Sequence, residues 1–95
     1  LDRYVVDTLM RDLVGHDRTA SAFLVYLYLD SHQPARGGLA ASYAQLASAT
    51  GLSKRAVQRA VAQLLARRLV EQVKSSATAT PVYQVTRPWR RRRGA

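Results

Sequence analysis

The chain has no cysteine. That removes disulfide frameworks, thiolate zinc sites and cysteine nucleophiles together, and it is compatible with a reducing cytoplasm. Histidine is scarce too: His16 and His32 stand alone, without a second histidine at metal-ligand spacing. The longest strongly apolar run, residues 22–29, falls far short of the roughly 20 residues that cross a bilayer, so no membrane partner is expected. No P-loop, dinucleotide fingerprint or nucleophile elbow occurs. Asp12, His16 and Asp17 are close in sequence, but they straddle Gly15, which is expected to break the helix that would align them. The expectation is therefore no enzyme, no cofactor and no metal. The chain begins at Leu1 rather than methionine, which leaves open a targeting segment ahead of it.

Acidic residues are few: six, against fifteen Lys and Arg, for a formal charge of +9. Their distribution says more than the total. Residues 1–33 carry three arginines and five aspartates, a net −2, whereas residues 34–95 carry twelve basic side chains and one acid, Glu71, a net +11. A basic C-terminal two-thirds points to DNA, RNA or an anionic membrane surface. A solubilising surface with a disordered arginine tail would give the same charge. With 47% apolar residues in 95 positions, the chain is long enough for one domain with one small core.

Near the N-terminus Val5, Val6, Leu9, Leu13 and Val14 recur close to helical spacing. Asp7 can cap a short helix from Thr8, and residues 4–7 read equally well as extended. Asp17 is expected to cap a second helix ending near Ser31 or His32. That helix is apolar nearly all round, so either the N-terminal segment or a second subunit must cover it. Residues 33–38, rich in Pro and Gly, form a loop, and residues 39–41 can pair as a very short strand. Residues 69–74 and 82–86 alternate partially, with a small polar loop between them, which is the pattern of a β-hairpin.

Residues 42–68 read S-Y-A-Q-L-A-S-A-T-G-L-S-K-R-A-V-Q-R-A-V-A-Q-L-L-A-R-R. A short helix, a tight glycine turn and a longer helix make a helix-turn-helix. Ser42 caps the first helix, Gly51 permits the reversal, Leu52 plugs the gap, and Ser53 caps the second helix. Projected at 100° per residue, Val57, Ala60, Val61, Leu64 and Leu65 fall on one side. Arg55, Arg59 and Ala62 fall opposite, with Gln58 beside them and Lys54 at the N-terminal edge. In such motifs the N-terminal part of the second helix enters the major groove. There arginine pairs with guanine and glutamine with adenine, through two hydrogen bonds each. Ser53, Lys54, Arg55, Gln58 and Arg59 are therefore the candidate recognition-helix contacts. The alternative is that these side chains only solvate an exposed face.

Residues 23–89 resemble the bacterial winged helix-turn-helix superfamily. The run from Ser42 to Val70 is similar to the pattern S-x-x-x-L-A-x-x-x-G-x-S-x-x-T-V-x-R-x-[IVL]-x-x-L-x-x-x-x-L-[IV]. Domains of phage and plasmid replication proteins and mobile-element regulators look most alike, with GntR-type regulators more distant. The resemblance implies a recognition helix in the second half of the motif and a wing at 69–86. Arg68 departs from it, standing where relatives often have glycine before the strand. Ala56 also departs, replacing a frequent threonine or serine that can contact phosphate.

Given a wing, Lys74, Ser75, Ser76, Thr78 and Thr80 would approach the DNA backbone, where contacts position without reading sequence. Ser42 and Tyr43 would join them at a helix N-terminus. Residues 90–95, with four arginines, are expected to be a basic flexible tail, and Trp89 is expected to pack on the domain. The expected fold is α+β, mainly α: a winged helix-turn-helix over residues 1–89, ordered helix, helix, short strand, helix, helix, strand, strand. The expected partner is double-stranded DNA, with a homodimer through the N-terminal helices, in the cytoplasm at the nucleoid. Transcriptional regulation is the first reading and plasmid or phage replication initiation the second. A winged-helix protein-interaction module is the reading of another class.

Overall fold

The strongest periodicity in the chain builds the central helix of the fold. In the computed structural model, which describes residues 2–34, 37–74, 76 and 79–87, Val57, Ala60, Val61 and Leu64 form the buried side of Lys54–Ala66. The element order is an N-terminal helical segment of two π-helical stretches (Val5–Leu9 and Arg11–His16), α1 (Ala20–Ser31), β1 (Leu39–Ala40), α2 (Tyr43–Thr50), α3 (Lys54–Ala66), β2 (Val70–Val73) and β3 (Val82–Val85). The sheet is antiparallel in the order β1-β3-β2. A mainly helical body with a small three-stranded sheet and a β2–β3 wing is the winged helix-turn-helix expected. Among the described residues no helix is long and apolar enough to cross a membrane.

α1 is covered from several sides, as its all-round apolar surface requires. It packs against α3, α2, β3 and the N-terminal segment, and buries Ala22, Phe23, Val25, Tyr26 and Leu29. Tyr26 and Leu29 are fully buried, and Tyr28 packs against the core. The chain thus covers by itself most of the apolar surface of α1, with Leu24 left exposed. Val5, Leu9 and Leu13 of the N-terminal segment are buried, while Val6, Met10 and Val14 remain exposed beside them.

The N-terminal segment starts earlier and ends later than its capping signals suggest. Its hydrogen bonds close wide turns, from the Met10 N–H to the Val5 carbonyl and from the Asp17 N–H to the Asp12 carbonyl, the pattern of a π-helix. These turns run through Gly15, and the reversal falls instead on Arg18, at φ 56°.

Asp17 does not cap α1; Thr19 occupies that position. The Asp17 carboxylate is taken by α3 and the residue that follows it. It accepts hydrogen bonds from Gln63 Nε2 at 2.8 Å and Arg67 Nε at 2.9 Å, and lies 3.1 Å from His16 Nδ1. The His16 hydrogen bond, then those from Gln63 and Arg67, hold this carboxyl below its ordinary range, against a desolvation that acts the other way. A depressed folded-state pKa means that the stabilisation is complete above the unfolded value, about 3.9, and is lost as pH falls through the folded value. Asp17→Asn is expected to cost about 0.5–1 kcal/mol at pH 7, limited by solvent around the half-exposed Arg67. Urea midpoints at pH 7 and pH 3 check this: the gap between variant and parent should shrink at pH 3. An equal gap at both would mean that the charge contributes nothing.

β1 is only two residues long, and Gln33 extends its work. Gln33 Nε2 donates to the Tyr83 carbonyl at 3.1 Å, and Oε1 accepts from the Val85 N–H at 3.1 Å. One side chain thus takes the Val85 amide that a longer strand would have paired, and adds a bond to the Tyr83 carbonyl opposite Leu39. Close approach of backbone to backbone here requires Gly38. A Cβ at that position would lie 2.5 Å from the Tyr83 carbonyl oxygen. At the other end of β3, Tyr26 Oη donates to the Thr86 carbonyl at 3.5 Å, and Arg87 pairs with Asp30 at the end of α1.

Candidate nucleic-acid interface

The turn of the motif is built as its residues suggest. Ser42 and Gln45 form a reciprocal capping box: Ser42 Oγ accepts from the Gln45 N–H at 3.0 Å, and the Ser42 N–H donates to Gln45 Oε1 at 2.8 Å. Gly51 ends α2 at φ 81°, in the left-handed region, where glycine avoids the Cβ penalty. Leu52 is half-buried between the helices, and Ser53 Oγ accepts from the Ala56 N–H at 3.0 Å. These caps hold the first turn of α3 rigidly relative to α2.

With one face of α3 in the core, the other faces solvent. Lys54, Arg55, Gln58, Arg59 and Ala62 are all exposed. Ser53, just ahead of them, is exposed as well. Ala62 keeps the middle of this face low, so a groove edge can approach the longer side chains around it.

A shallow groove of about 280 Å³ lies beside α3. Ser42 and Tyr43 from the start of α2, Lys54 from α3, Gln72 from β2, and Lys74 and Thr80 from the wing all line it. Four of the seven backbone-contact candidates therefore share one cleft with the first residue of α3. Ser76 is exposed in the wing loop, its carbonyl accepting from the Ala79 N–H at 3.3 Å. Ser75, Thr78, Trp89 and the arginines at 90–93 lie outside the described residues.

Gln72 carries no sequence signal of its own, yet it lines this groove and is held there by Tyr83. Tyr83 is buried, and its phenol accepts from Gln72 Nε2 at 3.0 Å. Burial, with the Tyr43 phenol beside it, pushes the Tyr83 pKa up to about 12, so the ring stays neutral at physiological pH. The period-2 pattern of the hairpin carries the signal, since Val70, Gln72, Tyr83 and Val85 share the inner face. Gln72 is polar on that face because the tyrosine hydroxyl needs a partner.

Arg68 closes α3. The Arg68 N–H donates to the Leu65 carbonyl at 3.1 Å and the Leu69 N–H to the Leu64 carbonyl at 3.0 Å. That double bond pattern is a Schellman motif with Arg68 at the left-handed position, φ 58°. The departure from glycine noted in the sequence thus falls where glycine would relieve strain of about 1–2 kcal/mol.

Comparison with known proteins agrees with this geometry. A family model described as a helix-turn-helix domain matches residues 19–70, from the residue before α1 to the first residue of β2. No curated protein and no solved structure matches the chain. The matched span covers more than half the chain and contains both helices of the motif with the turn between them, and on that ground the chain belongs to the helix-turn-helix domain family.

Proposed function

We propose that the domain binds duplex DNA in a sequence-specific manner and serves transcriptional control. Membership of the helix-turn-helix family supports DNA binding. The observation that carries the finer reading is the exposed group Lys54, Arg55, Gln58 and Arg59 on α3, with Arg55 and Arg59 opposite the buried face, Gln58 beside them and Lys54 at the N-terminal edge. In this reading Arg55, Gln58 and Arg59 meet base edges, and Ser53 and Lys54 sit at the groove entrance. Ser42, Tyr43, Lys74, Ser75, Ser76, Thr78 and Thr80 meet phosphates. The groove shared by Ser42, Tyr43, Lys54, Lys74 and Thr80 supports a continuous track from the α2 N-terminus to the wing.

Selection of a motif from a randomised duplex pool by anisotropy-guided retention tests this directly. Enrichment of one motif supports the reading, and its placement at promoters or at a replication origin separates regulator from initiator. With about 5–7 phosphates neutralised, log K should fall with log[salt] at a slope of roughly −4.5 to −6. Salt-sensitive binding without enrichment would reduce the domain to a non-specific tether. No binding at low salt would favour a protein-interaction module instead. The reading includes a homodimer through the N-terminal helices, supported by the exposed row Val6, Met10 and Val14. Sedimentation equilibrium of the parent and of Met10→Asp checks this: a monomeric parent would remove the dimer.

A further inference from the structure

We propose a second phosphate-binding patch, formed by Arg18 and Arg68 at the end of α3 remote from its reading face. Among the described residues, the only non-glycine residues with positive φ are Arg18, at 56°, and Arg68, at 58°. Both are exposed. They adjoin the two members of one ion pair, because Arg18 follows Asp17 and Arg68 follows Arg67, and Arg67 Nε lies 2.9 Å from Asp17 Oδ2. The two strained residues therefore flank the same ion pair, which holds their stretches of backbone together.

A left-handed position favours glycine, and among side chains it tolerates Asn or Asp best. Finding the same long cation at both such positions of one patch calls for a reason in what the side chains do, since strain of this kind concentrates at binding sites. Asp17 neutralises Arg67, and neither the Arg18 nor the Arg68 side chain has a described hydrogen-bond or ion-pair partner. Two guanidiniums are left facing solvent, with Glu71 in the groove that Arg68 borders as partial offset. A free guanidinium is a planar fork of donors suited to phosphate oxygens.

The partner follows from position. At about 1.5 Å per residue along α3, Arg68 lies roughly 14 Å from the turn that carries Arg59 and roughly 20 Å from Arg55. DNA that meets both must curve toward the protein, touching the patch with phosphates that flank the read bases. This inference rests on the DNA-binding reading above.

Arg18→Gly/Arg68→Gly tests it, because glycine suits both backbones and the variant should melt above the parent. Binding is compared on a duplex limited to the selected motif and on one of about 40 base pairs centred on it. The parent should prefer the longer duplex by about tenfold at low salt, and the variant should lose that preference while enriching the same motif. Losing two phosphate contacts should also flatten the salt slope by about 1.8 on the longer duplex. Unchanged affinity and slope on the longer duplex would overturn the patch, as would an equal loss on both duplexes. Absence of DNA binding by the parent would instead remove the underlying reading, so the two failures are distinguishable.

Discussion

Arg55→Ala/Arg59→Ala is expected to weaken binding to the selected duplex by about 2–6 kcal/mol, roughly 30-fold to 10⁴-fold. Each arginine that makes a two-bond contact to guanine is worth about 1–3 kcal/mol of discrimination. The pair lies four residues apart on one exposed face of α3, so the two losses can couple rather than add. Neither side chain contributes to the core, and the melting temperature should hardly change. Anisotropy against the selected duplex and a scrambled one separates the roles. A base reader loses much on the first and little on the second, whereas a phosphate contact loses similarly on both. Equal losses would assign these arginines to the backbone and leave Gln58 as the remaining candidate for base reading.

The largest effect on stability is expected from Gly38→Ala, about 2–3 kcal/mol. The methyl would lie 2.5 Å from the Tyr83 carbonyl oxygen and 2.8 Å from Val82 Cγ1. Its first obstacle is backbone, which cannot swing aside as a side-chain end can. Relief requires β1 to lift away from β3, breaking the pairing of Leu39 with Tyr83 and Ala40 with Val82. In a domain of this size the loss corresponds to a fall of roughly 10–20 °C in melting temperature. Gly37→Ala is a useful companion, because no atom lies within 4 Å of a Cβ there, and only the φ of 73° opposes it. Near-equal costs at the two positions would mean that crowding against β3 is not what Gly38 relieves.

The contrast between the two ends of the motif shows what can be read from sequence. The capping box at Ser42, the turn at Gly51 and the cap at Ser53 are local: each bonds within four residues, and each left its mark in the residue types. The exposed row on α3 was legible for the same reason, since its periodicity is carried by the helix alone. The contributions of Asp17, Gln33 and Gly38 were not legible. Their partners lie about 45 to 50 positions away, and residue type alone allowed other roles, a helix cap for Asp17 and loop punctuation for the other two. The N-terminal segment was misjudged at both ends because Asp7 and Gly15 carry ordinary start and stop signals, while the anchor at Arg67 fixes Asp17 further along. The grouping of Ser42, Tyr43, Lys74 and Thr80 around Lys54 depends on how the hairpin folds back beside α2, which no local pattern encodes.

The amide of Gln33 also bears on how this protein survives at high concentration. A sheet margin with unpaired N–H and C=O groups is a template for a foreign strand, and short margin strands are one natural protection. Beyond the two residues of β1, the β3 amide at Val85 would be such a template, and the Gln33 side chain already occupies it. A side chain, unlike a further strand, offers no new margin of its own. The opposite margin, at β2, carries Glu71 and is followed by Lys74, charges that discourage cross-chain pairing. The sheet thus presents a short margin capped by a glutamine on one side and a charged margin on the other, both features that discourage the addition of a foreign strand.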